Sequence, residues 1–251
     1  MEKRKIYLKD IRKHLDRAAT KATVHSETHT PGAGLIREAV FGFNDGLVTV
    51  LALAAGVAGA ISENRIIILA AVAAAVASSI SMSLAAYIST KSQVEYYKSE
   101  VERERKEIKE DPEYEKAELA ELYRRKGFTE KEINMLIKRI SSDKELFLKV
   151  MLSEELHLEQ ERFESPYKSG LVMGIATMAG SFIPIIPFFF MQHPAALAVS
   201  AAIGISALFA VGALKTKFTE RNWLKSGLEN MAIGIVATGV SYVLGNFAGS
   251  I

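Results

Sequence analysis

Long apolar stretches with almost no charge make up most of this chain on either side of its middle third. Four stretches hold at most one Asp, Glu, Lys or Arg: residues 39–62, 66–90, 169–214 and 230–251. A helix needs about 20 apolar residues to cross the hydrocarbon layer of a membrane. Residues 169–214 are too many for one crossing, and Gln192-His193-Pro194 offers a turn that divides them into two. The pattern therefore predicts an all-α membrane protein with five transmembrane helices in the lipid bilayer.

The segment 91–168, between the second and third predicted spans, is highly charged and holds 20 of the 29 acidic residues. Asp111 followed by Pro112 is typical of a helix start, and Thr129 with Glu132 predicts a capping box at the start of another helix. The first helix of this insert is expected to continue the second span without a break. The sequence thus divides into four parts: an N-terminal amphipathic segment (1–34), spans one and two (35–90), a cytoplasmic helical insert (91–168) and spans three to five (169–251).

The basic residues are distributed unevenly among the predicted loops. Residues 1–38 contain nine Lys or Arg and residues 215–225 contain four, whereas the loop between spans one and two contains only Arg65. Because short cytoplasmic loops collect Lys and Arg, we expect the N-terminus and the insert to face the cytosol and the C-terminus to lie outside. Cysteine is absent, which excludes disulfides and thiolate metal sites. The sequence shows no endomembrane signal, so the plasma membrane of a prokaryote is the expected location.

The one charged residue inside a predicted span is Asp45, in the stretch FGFNDGLVTV. A carboxylate at the bilayer centre costs about 2.5–3.5 kcal/mol on insertion scales and generally faces a cavity or an ion path. Gly42 and Gly46 flank Asp45 and would let another helix approach the same face closely, and in a two-fold dimer we expect that helix to be the first span of the second copy. Met82 in the second span adds a thioether, and a carboxylate with a thioether suits a transition metal better than sodium or calcium. An aspartate that only caps a helix near the interface is the competing interpretation.

The insert carries candidate metal ligands in pairs at helical spacing. Residues three or four apart lie on one face of a helix, and this spacing occurs in three pairs: Glu104 with Glu107, Glu115 with Glu118, and Met151 with Glu155. Pairs on three helices could converge on one site, as they do in bundle proteins that bind two metals. The interleaved basic residues favour a different interpretation, a solvated acidic face. Spacing alone leaves both interpretations open.

Several motifs together resemble one known family. The first span REAVFGFNDGLVTVLALAAGVAGA, the segments SMSLAAYISTKSQVEYY, DPEYEKAELAELYRRKGFTEKE and MLSEEL, and the closing GIVATGVSYVLGNFAG are similar to the vacuolar iron transporter family. The resemblance implies five spans with a cytoplasmic metal-binding insert, a homodimer with the pathway between its subunits, and proton-coupled export of ferrous iron. It also implies residue roles: membrane passage at Asp45 and Met82, and cytoplasmic ligands at Glu104, Glu107, Glu115, Glu118, Met151 and Glu155.

Two positions depart from the pattern of that family. Many members have Gly-Glu-Tyr where this chain has Ala85-Ala86-Tyr87, so one membrane carboxylate is missing here. A second methionine beside position 151 is replaced by Leu152, so the insert has one soft ligand fewer.

The expected function is therefore transport of a divalent transition metal, Fe²⁺ with Mn²⁺ as a second candidate, out of the cytosol by proton antiport. The metal is the substrate, and neither a cofactor, an enzymatic activity nor a nucleic-acid partner is expected.

Two alternative functions stay open at the level of sequence. Glu154-x2-His157 has the spacing of a ferritin-like motif and would fit a membrane-anchored di-iron enzyme. The insert could also belong to a metal sensor that does not transport. The remaining histidines of the N-terminal segment match no compact ligand spacing and are expected at the surface: His14, His25 and His29.

Overall fold

The computed structural model describes residues 33–158, 164–219 and 222–251, and every regular element within them is a helix. Nearly all of the N-terminal segment, with His14, His25 and His29, lies outside the described residues. The described helices are α1 (Ala33–Ala60), α2 (Asn64–Glu110), α3 (Pro112–Arg125), α4 (Glu130–Ile140), α5 (Lys144–Glu154), α6 (Pro166–Phe182), α7 (Ile186–Phe190), α8 (Ala195–Leu214), α9 (Thr216–Thr219) and α10 (Trp223–Gly249).

Four described helices are long and apolar enough to cross a membrane: α1, α2, α8 and α10. The chain is therefore a membrane protein with several apolar helices. The third predicted span is divided between α6, which has 17 residues, and the five-residue helix α7. The count of five spans stays a prediction, because α6 has fewer than the about 20 residues that a span usually needs and α7 is shorter still.

Two prolines explain why α6 and α7 are separate. Proline has no N–H to donate within a helix, and its ring clashes with the carbonyl one turn earlier. Pro184 and Pro187 lie at this junction. Because Pro187 has no N–H and the N–H of Phe188 bonds to the carbonyl oxygen of Ile185, the Pro184 carbonyl needs a donor from elsewhere. Ser200 of α8, which is fully buried, donates its Oγ hydrogen to the carbonyl oxygen of Pro184 at 2.6 Å. The break is thus closed by a hydrogen bond from the neighbouring helix, as the interior of a membrane requires.

Helix α1 lies between α6 on one side and α10 on the other, and glycines form both contacts. A Cβ added to Gly46 would collide with the backbone of Thr177 in α6, and one added to Gly56 would lie 3.2 Å from the Ser241 carbonyl oxygen in α10. The Cβ of a residue at position 42 would lie 2.7 Å from the Met173 carbonyl oxygen, again in α6. The expectation that Gly42 and Gly46 bring two first spans of a dimer together is therefore wrong. These glycines are used for packing within one chain.

Helix α2 runs from the membrane into the insert without interruption, as predicted. It contains 47 residues, which at about 1.5 Å per residue makes it about 70 Å long. Asp111 ends it and also caps α3, because its side chain accepts a hydrogen bond from the N–H of Tyr114 at 3.2 Å. The C-terminal part of α2 therefore packs directly against the short helices that follow it.

The helices α3, α4 and α5 pack with the end of α2 around one apolar cluster. Gly127, at φ +90°, ends the turn after α3, and Thr129 with Glu132 forms the predicted capping box of α4. Asp143 caps α5 through the N–H groups of Glu145 and Leu146. The buried members of the cluster are Ile108, Leu119, Ile140, Phe147, Leu148, Met151 and Leu152. The sequence predicts that the last helix of the insert continues until Pro166 closes it, whereas α5 ends at Glu154.

Candidate metal centre

Three carboxylates from three different helices meet at one edge of this apolar cluster. Glu104 lies on α2, Glu115 on α3 and Glu155 at the C-terminal cap of α5, and one carboxylate oxygen of each lies within 4.8 Å of the other two. Glu104 and Glu115 are 1% and 4% exposed. Buried acidic groups almost always have a cationic partner or bind a metal. The arrangement is therefore a candidate site for a cation.

Two oxygens of this cluster lack a hydrogen-bond donor. Oε1 of Glu104 and Oε2 of Glu155 are buried, and neither has a hydrogen-bond partner among the residues that the structure describes. Leaving a buried acceptor unpaired costs about 1–3 kcal/mol, and more for a charged group. A bound cation would satisfy both oxygens at once.

The electrostatics of the cluster point the same way. Burial, followed by the negative charges of Glu155, Glu115 and Glu107, raises the pKa of Glu104 to about 8. Burial also raises the pKa of Glu115, with further contributions from Glu118 and Glu107. Burial, followed by the negative charges of Glu118, Glu115 and Glu107, raises the pKa of Glu155, and the positive charge of Arg103 opposes the shift. Glu104 of the metal-free site therefore holds a proton at neutral pH, and a divalent ion that binds there would displace it.

The other predicted ligands of the insert surround these three residues less closely. Glu107 is half exposed, and its Oε1 lies 3.9 Å from Nε of Arg103. Glu118 is partly buried and, like Glu107, is close enough for its charge to raise the pKa of Glu155. Met151 is fully buried in the apolar cluster, one helical turn before Glu155. The structure thus brings Glu104, Glu115 and Glu155 together, with Glu107 and Glu118 near enough for their charges to raise the pKa values of Glu115 and Glu155.

Sequence reasoning missed an ion pair next to the site. Glu100 is 7% exposed, and its Oε2 lies 2.7 Å from a guanidinium nitrogen of Arg103, which is half exposed. The positive charge of Arg103 is also near enough to the carboxylate cluster to lower the pKa of Glu155. The i,i+3 spacing of Glu100 and Arg103 was the available signal.

The predicted membrane residues lie between α1 and α2. Asp45 is half-buried, and Ser78 of α2 donates a hydrogen bond from Oγ to its Oδ2 at 3.2 Å. Met82, also half-buried, lies four residues after Ser78 and so on the same face of α2. Asp45 therefore faces the helix that carries both Met82 and the insert.

A second polar contact of α1 was not predicted. Asn44 accepts a hydrogen bond at its Oδ1 from Nδ2 of Asn230 in α10 at 3.2 Å. Asn230 also contacts the carbonyl oxygen of Leu208 in α8 at 3.3 Å and is 7% exposed. The only signal in the sequence was an uncharged amide within each of two apolar spans.

Comparison with known proteins identifies the family of this chain. The model of the VIT family matches residues 36–246, which is most of the chain. The chain belongs to the VIT family. Vacuolar iron transporter 1 of Arabidopsis thaliana is 33% identical over 221 residues, covering 88% of each chain. The vacuolar iron transporter of Toxoplasma gondii is 31% identical over 236 residues, covering 88% of this chain and 78% of that protein.

Membership of the VIT family confirms the resemblance drawn from the motifs. It also confirms that this chain is not an enzyme, because the named relatives are transporters. The geometry disfavours the di-iron alternative independently. Glu154 is the last residue of α5, whereas His157 lies beyond the helix with φ 53° and is exposed. The two side chains therefore do not share a helical face, which the ferritin-like motif requires.

Proposed function

We propose that this VIT-family chain moves a divalent transition metal, Fe²⁺ and with the same donors Mn²⁺, out of the cytosol. The observation that carries the proposal is the convergence of Glu104, Glu115 and Glu155, with two buried oxygens that lack donors. Carboxylate oxygens bind Fe²⁺ and Mn²⁺ with little discrimination between first-row metals. The carboxylate cluster would collect the ion on the cytosolic side.

The peripheral ligands complete this role in the proposal. Glu107 and Glu118 would add negative charge that attracts the cation, and Met151 would offer one thioether on the same side of α5 as Glu155. With Leu152 in the adjacent position, oxygen donors outnumber sulfur in the set. This balance favours a metal that accepts hard ligands, which is the reason for including Mn²⁺.

The membrane path in this proposal runs past Asp45 and Met82. A divalent ion alone in hydrocarbon faces a desolvation penalty of the order of tens of kcal/mol, and the Asp45 carboxylate would offset part of it. A homodimer would supply a second Asp45 to the same ion through two-fold symmetry. Because Asp45 contacts Ser78, the subunit interface in this proposal lies along α2.

Protons are the proposed counter-ion. Position 86 holds a buried alanine, so this chain has no carboxylate there. Asp45 would then be the membrane group that takes up a proton after releasing the metal, and Glu104, whose pKa is raised to about 8, would release its proton when metal binds in the insert. The proposed location is the plasma membrane of a prokaryote, with the insert in the cytosol.

Metal uptake by proteoliposomes tests the proposal. We expect the wild-type chain to transport Fe²⁺ and Mn²⁺ and to do so faster with an imposed pH gradient. Asp45→Asn keeps the side-chain volume and removes the charge, so it should insert normally and lose most of the flux, at least about 10-fold. Glu63→Gln, an exposed acidic residue in the loop before α2, is the matched control and should transport normally.

The outcomes separate the proposed function from its alternatives. A wild-type chain that binds metal but carries no flux would contradict transport and favour a metal sensor. Flux that is the same with and without a pH gradient would contradict proton antiport. Normal flux in Asp45→Asn would reduce Asp45 to a residue that caps or packs α1.

A further inference from the structure

We propose that Asn230 is a positioning residue for metal passage, which through its hydrogen bond to Asn44 fixes the rotation of α1 that directs Asp45 toward α2. The inference rests on the proposed function, because it concerns the carboxylate in the membrane path. It adds a residue of α10 whose side-chain hydrogen bonds, within the described part of the chain, go to Asn44 and to the Leu208 carbonyl.

Two hydrogen bonds of Asn230 join three helices. Nδ2 of Asn230 lies 3.2 Å from Oδ1 of Asn44 on α1 and 3.3 Å from the carbonyl oxygen of Leu208 on α8. Asn230 is 7% exposed, so water does not replace these partners when they are lost. A buried amide in an apolar span is unfavourable unless it is paired. Its presence here calls for a role that an apolar side chain would not serve.

Close packing between α8 and α10 holds Asn230 in place. A Cβ added to Gly212 of α8 would lie 2.6 Å from the carbonyl oxygen of Ser226 and 2.9 Å from Cβ of Asn230. A Cβ added to Gly227 of α10 would lie 2.6 Å from the ring of Phe209. The α8–α10 pair is therefore in backbone contact at the level of Asn230, which makes it a fixed reference for α1.

Asn44 and Asp45 point in different directions because successive residues of a helix are about 100° apart. Asn44 faces α10, and Asp45 faces α2. The hydrogen bond from Ser78, at 3.2 Å, is the single hydrogen bond or ion pair of the Asp45 side chain among the described residues. The direction of Asp45 therefore depends mainly on the rotation of α1.

Packing also holds α1 in place. Gly42 and Gly46 rest against α6, and Leu47 is fully buried, so steric contact resists rotation of the helix. A hydrogen bond between two side-chain amides is directional. The bond between Asn44 and Asn230 therefore adds a directional restraint on the rotation of α1 to this packing.

Cross-linking tests the positioning role without measuring transport. Because the chain contains no cysteine, Asp45→Cys with Ser78→Cys gives one thiol pair, which a short bis-methanethiosulfonate reagent can bridge. We expect Asn230→Leu to lower the cross-linking yield roughly fivefold, the population shift that one ordinary hydrogen bond can hold. Thr238→Val is the matched control on α10, since it removes only the bond from Thr238 Oγ1 to the Gly234 carbonyl within the same helix. It should leave the yield unchanged.

Metal flux in proteoliposomes, measured on chains that retain Asp45 and Ser78, is the second readout. We expect Asn230→Leu to lower the maximal rate by at least about 10-fold, because a small misplacement of a reacting group is costly. The metal concentration at half-maximal flux should stay near the wild-type value, since the insert is unchanged. Thr238→Val should transport as the wild type does.

The outcomes keep this inference separate from the proposed function. Cross-linking in Asn230→Leu at the level of the parent overturns the positioning role, whatever the flux. A wild-type chain without flux contradicts the proposed function, while the cross-linking yield still decides the role of Asn230. If Asn230→Leu does not give folded protein, Asn44→Leu removes the same bond from α1 and the same results are expected. An unchanged yield in that variant also overturns the role.

Discussion

Glu104 is buried in the helical insert, and its carboxyl group ionises less readily there than in water. Its side chain is 1% exposed and lies among the carboxylates of Glu115 and Glu155, so ionisation places like charges together in an apolar setting. A carboxyl group in such a site titrates well above its ordinary range. The residue that makes the insert suitable for a cation therefore also makes the metal-free insert sensitive to pH.

The stability of the metal-free insert should fall as pH rises. The pKa of Glu104 is about 8 in the folded chain and near 4.5 when unfolded, so between these values the folded state holds more protons than the unfolded state. Stability then decreases with increasing pH across this window. We expect the protection of α3 and α5 against hydrogen exchange, after correction for the intrinsic pH dependence of amide exchange, to be lower at pH 8 than at pH 5.5, by on the order of 1 kcal/mol or more in opening free energy.

Glu104→Gln gives the control for this prediction. The amide is nearly isosteric and carries no charge, so the variant should protect α3 and α5 better at pH 8 and show a weaker pH dependence. It should also bind Mn²⁺ less tightly. Glu102→Gln, which alters an exposed residue of the same helix paired with Arg105 at 3.0 Å, should change neither property. If the protection of α3 and α5 in Glu104→Gln depended on pH as strongly as in the wild type, groups other than Glu104 would be the cause.

At the scale of elements, α2 presents an unusual outward face in its membrane part. Five small residues at intervals of four are all exposed: Ala73, Ala77, Ser81, Ala85 and Ser89. Small side chains let helices approach closely in lipid, where packing rather than hydrophobicity drives association. Ser81 lies three positions after Ser78, the hydrogen-bond partner of Asp45, and Ala85 lies three positions after Met82. A second copy packed on this stripe would therefore lie beside the path.

The row of exposed small residues on α2, from Ala73 to Ser89, predicts that two copies of α2 can be cross-linked. Ala85→Cys should form a disulfide-linked dimer in membranes under mild oxidation, since two-fold symmetry places equivalent positions near each other. Leu84→Cys is the matched control, because Leu84 is 55% exposed at the same depth but points about 100° away. Dimer formation through position 84 and not 85 would place the interface on another face of α2.

The elements of the insert could be predicted closely, because their signals are local. Asp111, the Thr129–Glu132 pair and Asp143 cap helices through residues two or three positions away, and such contacts are encoded in a few neighbouring letters. The unbroken α2 followed for the same reason. The end of α5 did not, since the apolar and acidic pattern continues beyond Glu154 while the helix stops there.

Contacts between distant segments were beyond the reach of sequence reasoning. Ser200 donates a hydrogen bond to the Pro184 carbonyl, 16 residues away in sequence, and Asn230 donates one to Asn44, 186 residues away. Spacing showed which carboxylates share a helix, but which of them converge depends on how three helices pack. Gly42 and Gly46 were correctly taken as sites of close approach and wrongly given to a second subunit, because a glycine motif does not identify its partner.

At the scale of the whole molecule, three connections lie at the end of α2 that is remote from the insert. Asn64, the first residue of α2, donates from Nδ2 to the carbonyl oxygen of Phe188 at 2.9 Å and accepts from the N–H of His193 at 3.2 Å. A Cβ added to Gly249 would lie 2.8 Å from the carbonyl oxygen of Ala60. The loop before α2, the turn before α8 and the C-terminal end of α10 are therefore neighbours, and the charged insert lies at the other end of α2.

This arrangement and the basic residues together predict the topology. The three neighbouring connections contain few Lys or Arg, whereas basic residues collect in cytoplasmic loops, so the insert should be inside and the C-terminus outside. Ser142→Cys and Ser250→Cys place single thiols at exposed positions on the two sides of a chain without cysteine. In intact cells an impermeant thiol reagent should label position 250 and not 142, and after permeabilisation it should label both. Labelling of position 142 and not 250 in intact cells would invert the molecule in the membrane, and the carboxylate cluster would then face the outside and could not collect metal for export.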